Sequence, residues 1–145
     1  MTTCTEFLSL IKQRGAYIAP ASGDNQTLMT NANLQQMRIP MLPKFMLELY
    51  SQCGGIALDS GYIFGPVPMT HGANYPVPDL VQINRELIGI PAMRDKTLFG
   101  RNDLFWFTFN ALGVCQMLDN VTLRPMRQYD DAWRGVCDCL IAGKL

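Results

Sequence analysis

LPKFMLELYSQCGG, residues 42–55, combines a helical hydrophobic pattern with two glycines at its end. Its apolar side chains recur at steps of three and four, which places them on one face of a helix roughly 100° wide. They are Leu42, Phe45, Met46, Leu49, Tyr50 and Cys53. Pro43 suits the first helical turn, and Gly54 can adopt the left-handed conformation that ends a helix. The stretch therefore predicts a helix that stops at the glycines.

Two short apolar runs follow the glycines and are separated by turn residues. IAL at 56–58 and YIF at 62–64 flank the sequence Asp59-Ser60-Gly61. Apolar runs on either side of such residues are typical of a β-hairpin. We expect the helix to lead directly into this hairpin.

The chain upstream of residue 42 has one clear helical signal. Thr3 and Glu6 have the spacing of a capping box, which predicts a first helix that ends at Gly15. Its apolar face consists of Phe7, Leu10 and Ile11. Residues 20–33, PASGDNQTLMTNAN, are polar and rich in turn formers, so we interpret them as a surface connection with a brief strand at 27–30.

The segment after the hairpin is dominated by prolines and glycines. GPVPMTHGANYPVPD, residues 65–79, contains too many of them for a regular element and is predicted to be a long loop. Asp79 can cap a short helix that ends at Gly89. The residues expected to face inward from this helix are Leu80, Ile83, Leu87 and Ile88.

The strongest strand signal lies in LFGRNDLFWFTFN, residues 98–110. Phe105, Phe107 and Phe109 alternate with another set of side chains, as in a strand that is covered on both faces. That second set is Leu104, Trp106 and Thr108. ALGVCQMLD at 111–119 predicts a partner strand after a turn at 110–113, and VTLRPMRQ at 121–128 predicts a further extended piece.

A final amphipathic helix completes the pattern. Asp130 or Asp131 is expected to start it, with Gly143 just past its end. Its apolar side consists of Trp133, Val136, Cys137, Leu140 and Ile141. Together the elements predict one α+β domain over residues 1–145, in which helices from both chain ends pack on a central, mostly antiparallel sheet.

Charge and composition narrow the possible partners and compartments. Lys plus Arg and Asp plus Glu each number 12, so no net field favours direct binding to nucleic acid or to an acidic membrane. The N-terminus lacks the pattern of a signal peptide, and no apolar run is long enough to span a membrane. Five cysteines without a regular framework favour reduced thiols, and we expect a cytoplasmic protein.

The order of these elements and their sequence markers resembles the SUKH superfamily. The resemblance rests on L-P-x-x-F-x-x-x-L-Y…G-G at residues 42–55, supported by Phe64-Gly65 and Gly113-Val114, and it covers about residues 34–140. The family includes fungal regulators of cell-wall synthesis and bacterial immunity proteins that neutralise polymorphic toxins.

The resemblance implies a non-catalytic protein-binding domain without cofactors, and an immunity protein for a cognate toxin domain as the leading function. A regulatory interaction scaffold is the alternative. Immunity proteins against basic nucleases tend to be acidic, whereas this chain is neutral, which argues against that version of the function. The oligomeric state stays open.

The residues that could support catalysis or metal binding have simpler interpretations. His71, the sole histidine, is interpreted as a solvent-facing loop residue; a small enzyme, the third choice, would have to use it or a pocket carboxylate. Cys137 and Cys139 are two apart on a helix, so they point away from each other and do not form a metal site. Cys137 belongs to the apolar side, and Cys139 is expected to be partly exposed. Asp130-Asp131 is interpreted as a helix cap.

Residues 62–79 offer the best candidate surface for a protein partner. Aromatic and methionine side chains lie among prolines there, and a stiff loop loses little conformational entropy on binding. Tyr62 and Phe64 could instead be hairpin core beneath a loop that packs over a sheet edge, whereas Met69, His71 and Tyr75 are expected to be exposed. The candidate partner-binding residues are Met69, His71, Tyr75, Asp79 and Arg101.

Overall fold

Seven strands pair in chain order to form one antiparallel sheet. The computed structural model describes residues 3–70 and 76–141. The strands are β1 (Tyr17–Ile18), β2 (Ile56–Leu58), β3 (Gly61–Ile63), β4 (Thr97–Arg101), β5 (Phe105–Phe109), β6 (Cys115–Asp119) and β7 (Pro125–Tyr129). The predicted α+β class with a central antiparallel sheet is confirmed.

Helices from both ends of the chain pack on this sheet. They are α1 (Cys4–Gln13), α2 (Asp24–Gln36), α3 (Lys44–Gln52), α4 (Leu80–Leu87) and α5 (Ala132–Ile141), with a 3-10 turn at Pro91–Met93. Helix α5 crosses strands β2 to β7 and also contacts α1, while α4 lies against β4 and α2. No helix in the described part of the chain is long and apolar enough to cross a membrane.

Helix α3 has the predicted apolar face, and all six residues of its stripe are buried. Phe45 connects the helix to the rest of the core, because its ring meets Phe99, Phe109 and Trp133 edge-on at centroid distances of 5.5, 6.2 and 6.1 Å. Edge-to-face pairs of this kind stabilise a core beyond the area they bury. The sequence pattern at 42–53 therefore places the helix correctly.

The two glycines after α3 act differently from the prediction. Gly55, not Gly54, has the positive φ, at 126°. A side chain on Gly54 would collide with the backbone carbonyl of Pro20, and one on Gly65 would collide with the carbonyl of Gly54. Glycine is required at 54 and 65 because the backbone around Pro20, Gly54 and Gly65 approaches closely at this point.

The prediction for residues 20–33 is wrong, since most of this segment belongs to helix α2. Only Thr30 and Leu34 are buried within the helix, so the sequence shows no hydrophobic period that would reveal it. The Thr30 hydroxyl donates a hydrogen bond to the Gln26 carbonyl at 3.0 Å instead of supporting a strand.

The segment with the strongest strand signal forms a hairpin, β4 and β5, rather than one strand. The Asn102 side-chain oxygen accepts hydrogen bonds from the backbone N–H groups of Leu104 and Phe105, both at 2.9 Å, and so closes the turn. Leu104 is consequently 64% exposed and does not join the covered face that we expected. The predicted strands at 111–119 and 121–128 are present as β6 and β7.

The remaining helix predictions concern the ends of α4 and α5. Asp79 caps α4 by accepting a hydrogen bond from the Gln82 N–H at 2.7 Å, as predicted. Ile88 does not face inward, because the chain is already extended there and leaves its side chain 54% exposed. Gly143 lies outside the described residues.

Helix α5 is buried on more than the predicted side. Cys139, expected to be partly exposed, is 1% exposed, and its thiol donates a hydrogen bond to the Tyr62 carbonyl at 3.5 Å. At the helix start, the Asp131 carboxylate accepts a hydrogen bond from the Trp133 N–H at 3.0 Å, which supports its interpretation as a cap. The expected exposure of Cys139 is wrong because the sheet and the chain around it cover α5 on several sides.

A buried asparagine that the sequence pattern does not reveal holds α4 to β4. The Asn84 amide donates to the carbonyls of Leu80 and Leu98 and accepts from the Leu98 N–H, each at 2.8 Å. Asn84 is 3% exposed, so its polar atoms depend entirely on these partners. The side chain therefore pairs with β4 as a neighbouring strand would.

Replacing Asn84 with alanine should lower the free energy of unfolding by about 2–3 kcal/mol, because the buried Leu98 N–H loses its acceptor. Urea denaturation of the variant measures this loss. Gln82→Ala, two residues away on α4 and exposed, is the matched control and should change stability by less than about 0.5 kcal/mol. Equal stabilities for the two variants would contradict the assigned role of Asn84.

Candidate partner-binding surface

The strand register aligns one residue from every strand in a single row across the sheet. Paired residues on neighbouring antiparallel strands have side chains on the same face. The row consists of Tyr17, Ala57, Tyr62, Arg101, Trp106, Leu118 and Pro125. Aromatic residues and one arginine thus meet in its middle.

This row lies on the face of the sheet turned away from α5. A side chain on Gly61 would meet the carbonyl of Cys139 on α5 at 2.7 Å, and one on Gly100 would meet the Cys139 thiol at 3.0 Å. The residues next to these glycines, Tyr62 and Arg101, point to the opposite face because side chains alternate along a strand. Helix α5 therefore does not cover the row, but Ala57, Tyr62 and Leu118 within it are buried by other parts of the chain.

Arg101 and Trp106 form the accessible centre of the row. The Arg101 guanidinium lies over the Phe64 ring, 5.8 Å from its centroid. Both Arg101 and Trp106 are half-buried, and within the described residues no carboxylate forms an ion pair with Arg101. We call Arg101 and Trp106 the Arg–Trp patch.

Polar side chains border the patch on the same face. Gln116 and Gln128 pair across β6 and β7, and their side-chain amides lie 3.4 Å apart. Thr108, two residues from Trp106 on β5, pairs with Gln116 in the same second row but is buried. An aromatic and arginine centre beside polar neighbours has the composition typical of protein–protein interfaces.

The physical properties of the patch favour binding to a protein surface. Stacking on Phe64 holds the Arg101 guanidinium in place, so less side-chain entropy is lost when a partner binds it. The half-buried ring of Trp106 still has apolar area that a partner can cover. Trp and Arg are also among the residues that most often dominate binding free energy.

Met69 contradicts the sequence-based prediction of an exposed side chain. It is 4% exposed, and its backbone pairs with that of Val77 through hydrogen bonds of 3.0 and 2.9 Å. This pairing joins the two ends of the long loop at its base and turns the methionine inward. Tyr62 and Phe64 are 7% and 0% exposed, so the hairpin-core interpretation is the correct one for both.

The structure brings only part of the predicted binding set onto one surface. Arg101 lies in the Arg–Trp patch, whereas Asp79 is half-buried and occupied as the cap of α4. His71 and Tyr75 lie outside the described residues. Trp106 was missed as a binding residue because the strand alternation placed it on a covered face; recognising the turn at Asn102 would have aligned it with Arg101.

All five cysteines are buried and none forms a disulfide. Burial raises the pKa of Cys4, Cys53 and Cys137 to about 11 in each case. Burial also raises the pKa of Cys115 and of Cys139. Because the thiolate is the reactive form, these side chains are poor nucleophiles at neutral pH.

No protein family, curated protein or solved structure matches this chain in the comparisons with known proteins.

The thiol pKa values predict how stability changes with pH. A cysteine with a folded-state pKa near 11 and an ordinary value of 9.0 stays protonated longer in the folded protein than in the unfolded one. The unfolded state therefore binds fewer protons above pH 9, and stability should fall between about pH 9 and 11 but not between pH 7 and 8. Urea midpoints across this range measure the effect.

A thiol-reactive dye at pH 8 provides an independent check. We expect no cysteine to react quickly in the folded protein and all five to react in urea. Cys137→Ala removes one of the thiols with a raised pKa and should reduce the loss of stability between pH 9 and 11. One rapidly labelled thiol in the folded protein would contradict the buried, protonated state.

Proposed function

We propose that this chain is a non-catalytic protein-binding domain that acts through the Arg–Trp patch. The observation that carries the proposal is the alignment of Arg101 beside Trp106 on the sheet face away from α5. Both side chains are held by the sheet and both remain half-buried. A partner would complete their burial without a large rearrangement of the backbone.

The size of a usual interface is compatible with this face. A stable complex buries roughly 800 Å² on each partner, about a tenth of the 7874 Å² that the molecule exposes. The patch would form the centre, while Gln116, Gln128 and the exposed Pro125 at the end of the row would form the rim. Such an arrangement excludes water from the central contacts, which strengthens them.

The partner that we propose is a bacterial toxin domain, with this chain as its immunity protein. The resemblance of residues 34–140 to the SUKH superfamily supports this choice, as does an α+β body with a preformed surface. Inhibition of a toxin requires a dissociation constant near 1 nM or below, about −12 kcal/mol. A rigid surface with few groups to order on binding is suited to such an affinity.

A regulatory interaction scaffold is the alternative, and a pocket of about 230 Å³ at the ends of α2 and α4, apart from the Arg–Trp patch, favours it. A scaffold would bind several partners weakly. Affinity purification would then recover a variable set of proteins instead of one partner in a fixed ratio.

The immunity function predicts that the neighbouring reading frame encodes a toxin domain, and its test is co-expression of that domain with this chain. We expect the wild-type protein to restore growth and to form a 1:1 complex. Arg101→Glu should weaken the complex at least about 30-fold, or roughly 2 kcal/mol, because the stacked cation is replaced by a carboxylate. Calorimetry or surface plasmon resonance measures the dissociation constant.

Arg134→Glu is the matched control for this experiment. Arg134 is an exposed arginine of α5, on the other side of the sheet, and its reversal should leave the complex unchanged. Trp106→Ala is the second variant, with a thermal melt to show that it is folded. Wild-type affinity in both folded patch variants would rule out this surface, and failure to bind or protect against the adjacent toxin would rule out the immunity role.

A further inference from the structure

A depression in the surface lies where α2, α4 and the 3-10 turn end. It is lined by the chain just after α2, after α4 and after Pro91–Met93, and its volume is about 230 Å³. Its apolar wall includes Met37, Ile39 and Leu87, which are half-buried. We call this depression the basic–apolar pocket.

Three cations surround this apolar wall. Arg38, Arg94 and Lys96 line the pocket together with one carboxylate, that of Asp95. Within the described residues, neither arginine side chain has a hydrogen-bond or ion-pair partner, while the Lys96 ammonium donates to the Ala92 carbonyl at 3.3 Å. The pocket therefore has a positive rim on a molecule with no net charge.

The helix ends do not account for these cations. Basic residues often compensate the partial negative charge of free carbonyls at helix C-termini. Here backbone N–H groups already donate to carbonyls at the ends of α2 and α4. The Ile39 N–H donates to the Leu34 carbonyl and the Ile90 N–H donates to the Leu87 carbonyl, both at 3.2 Å. The two arginines remain free to meet a negatively charged ligand.

Arg38 also occupies a conformation that favours another residue. Its φ is 60°, in the left-handed region where glycine is the usual residue after a helix. Helix α4 has Gly89 in the corresponding position, with φ 100°. The chain thus keeps an arginine beside the pocket at a site where glycine would be less strained.

We propose that the basic–apolar pocket docks an acidic segment of a protein partner. One large apolar side chain of that segment enters the pocket, and carboxylates on either side of it pair with Arg38 and Arg94. The volume decides between ligand sizes: a cavity of roughly 150 Å³ holds a benzene ring, whereas pockets for drug-sized molecules begin near 300 Å³. At about 230 Å³ the pocket fits a leucine or phenylalanine side chain. This inference goes beyond the proposed function, because it assigns a second surface and a different chemistry.

The probe is a fluorescein-labelled hexapeptide with two glutamates on each side of a central Leu-Phe pair. Fluorescence anisotropy with the full chain should give a dissociation constant of roughly 10–100 μM, typical of a short segment with one anchor. Peptides with glutamine in place of glutamate, or with serine in place of the Leu-Phe pair, should bind at least about tenfold more weakly. Equal binding of either control peptide would overturn the proposal.

Arg38→Gly separates binding from folding. Because glycine relieves the left-handed conformation, the melting temperature should stay the same or rise, while peptide affinity falls about tenfold. Arg94→Gln should lower affinity similarly, and Arg134→Gln on α5 should have no effect. Unchanged peptide binding in Arg38→Gly and Arg94→Gln would overturn the proposal.

Methyl-labelled methionine locates the peptide by nuclear magnetic resonance. The signals of Met37 and Met93, both in the pocket, should shift on titration, and that of Met126 on β7 should not. If octanoate shifts the two pocket signals and the peptide does not, the pocket takes small carboxylates and the proposal fails. None of these readouts involves the Arg–Trp patch, so failure here is distinct from failure of the toxin-binding proposal.

Discussion

The close contact between α5 and the central strands is the constraint on which the rest of the structure depends. A side chain on Gly135 of α5 would meet the Cys115 thiol at 2.5 Å, and side chains on Gly61 and Gly100 of the sheet would meet Cys139 at 2.7 and 3.0 Å. Glycines on both surfaces allow the helix and sheet to approach this closely. The contact buries the thiols of Cys115 and Cys139 and covers the middle of one sheet face.

Arg101 and Trp106 lie on the sheet face that α5 does not cover, and both are half-buried. Arg101 and Trp106 reach it only because Asn102 folds residues 98–110 into two strands. The turn at Asn102 sets the register that pairs Arg101 with Trp106 across that hairpin. The Arg–Trp patch is therefore a consequence of this register.

The patch and the basic–apolar pocket have different physical origins. Antiparallel pairing assembles the patch on rigid strands, whereas the pocket forms where α2, α4 and the 3-10 turn end together. Asn84 links the two regions, since it lines the pocket and holds α4 to the strand that carries Arg101. A protein with two such surfaces can contact one partner at two sites or two partners separately.

Periodicity in the chain was enough to predict the elements with a strong apolar pattern: α1, α3, α5, the first hairpin and strands β5 to β7. It also indicated a buried Cys137 and a cap at Asp79, because capping and burial on a helix face follow from local sequence. It failed for α2, in which only Thr30 and Leu34 are buried, and for Met69, which is buried where its backbone pairs with that of Val77. Hydrophobic periodicity indicates which side chains one element buries. The candidate sites depend instead on which elements contact each other. Strand register and close backbone packing in the tertiary structure determine those contacts.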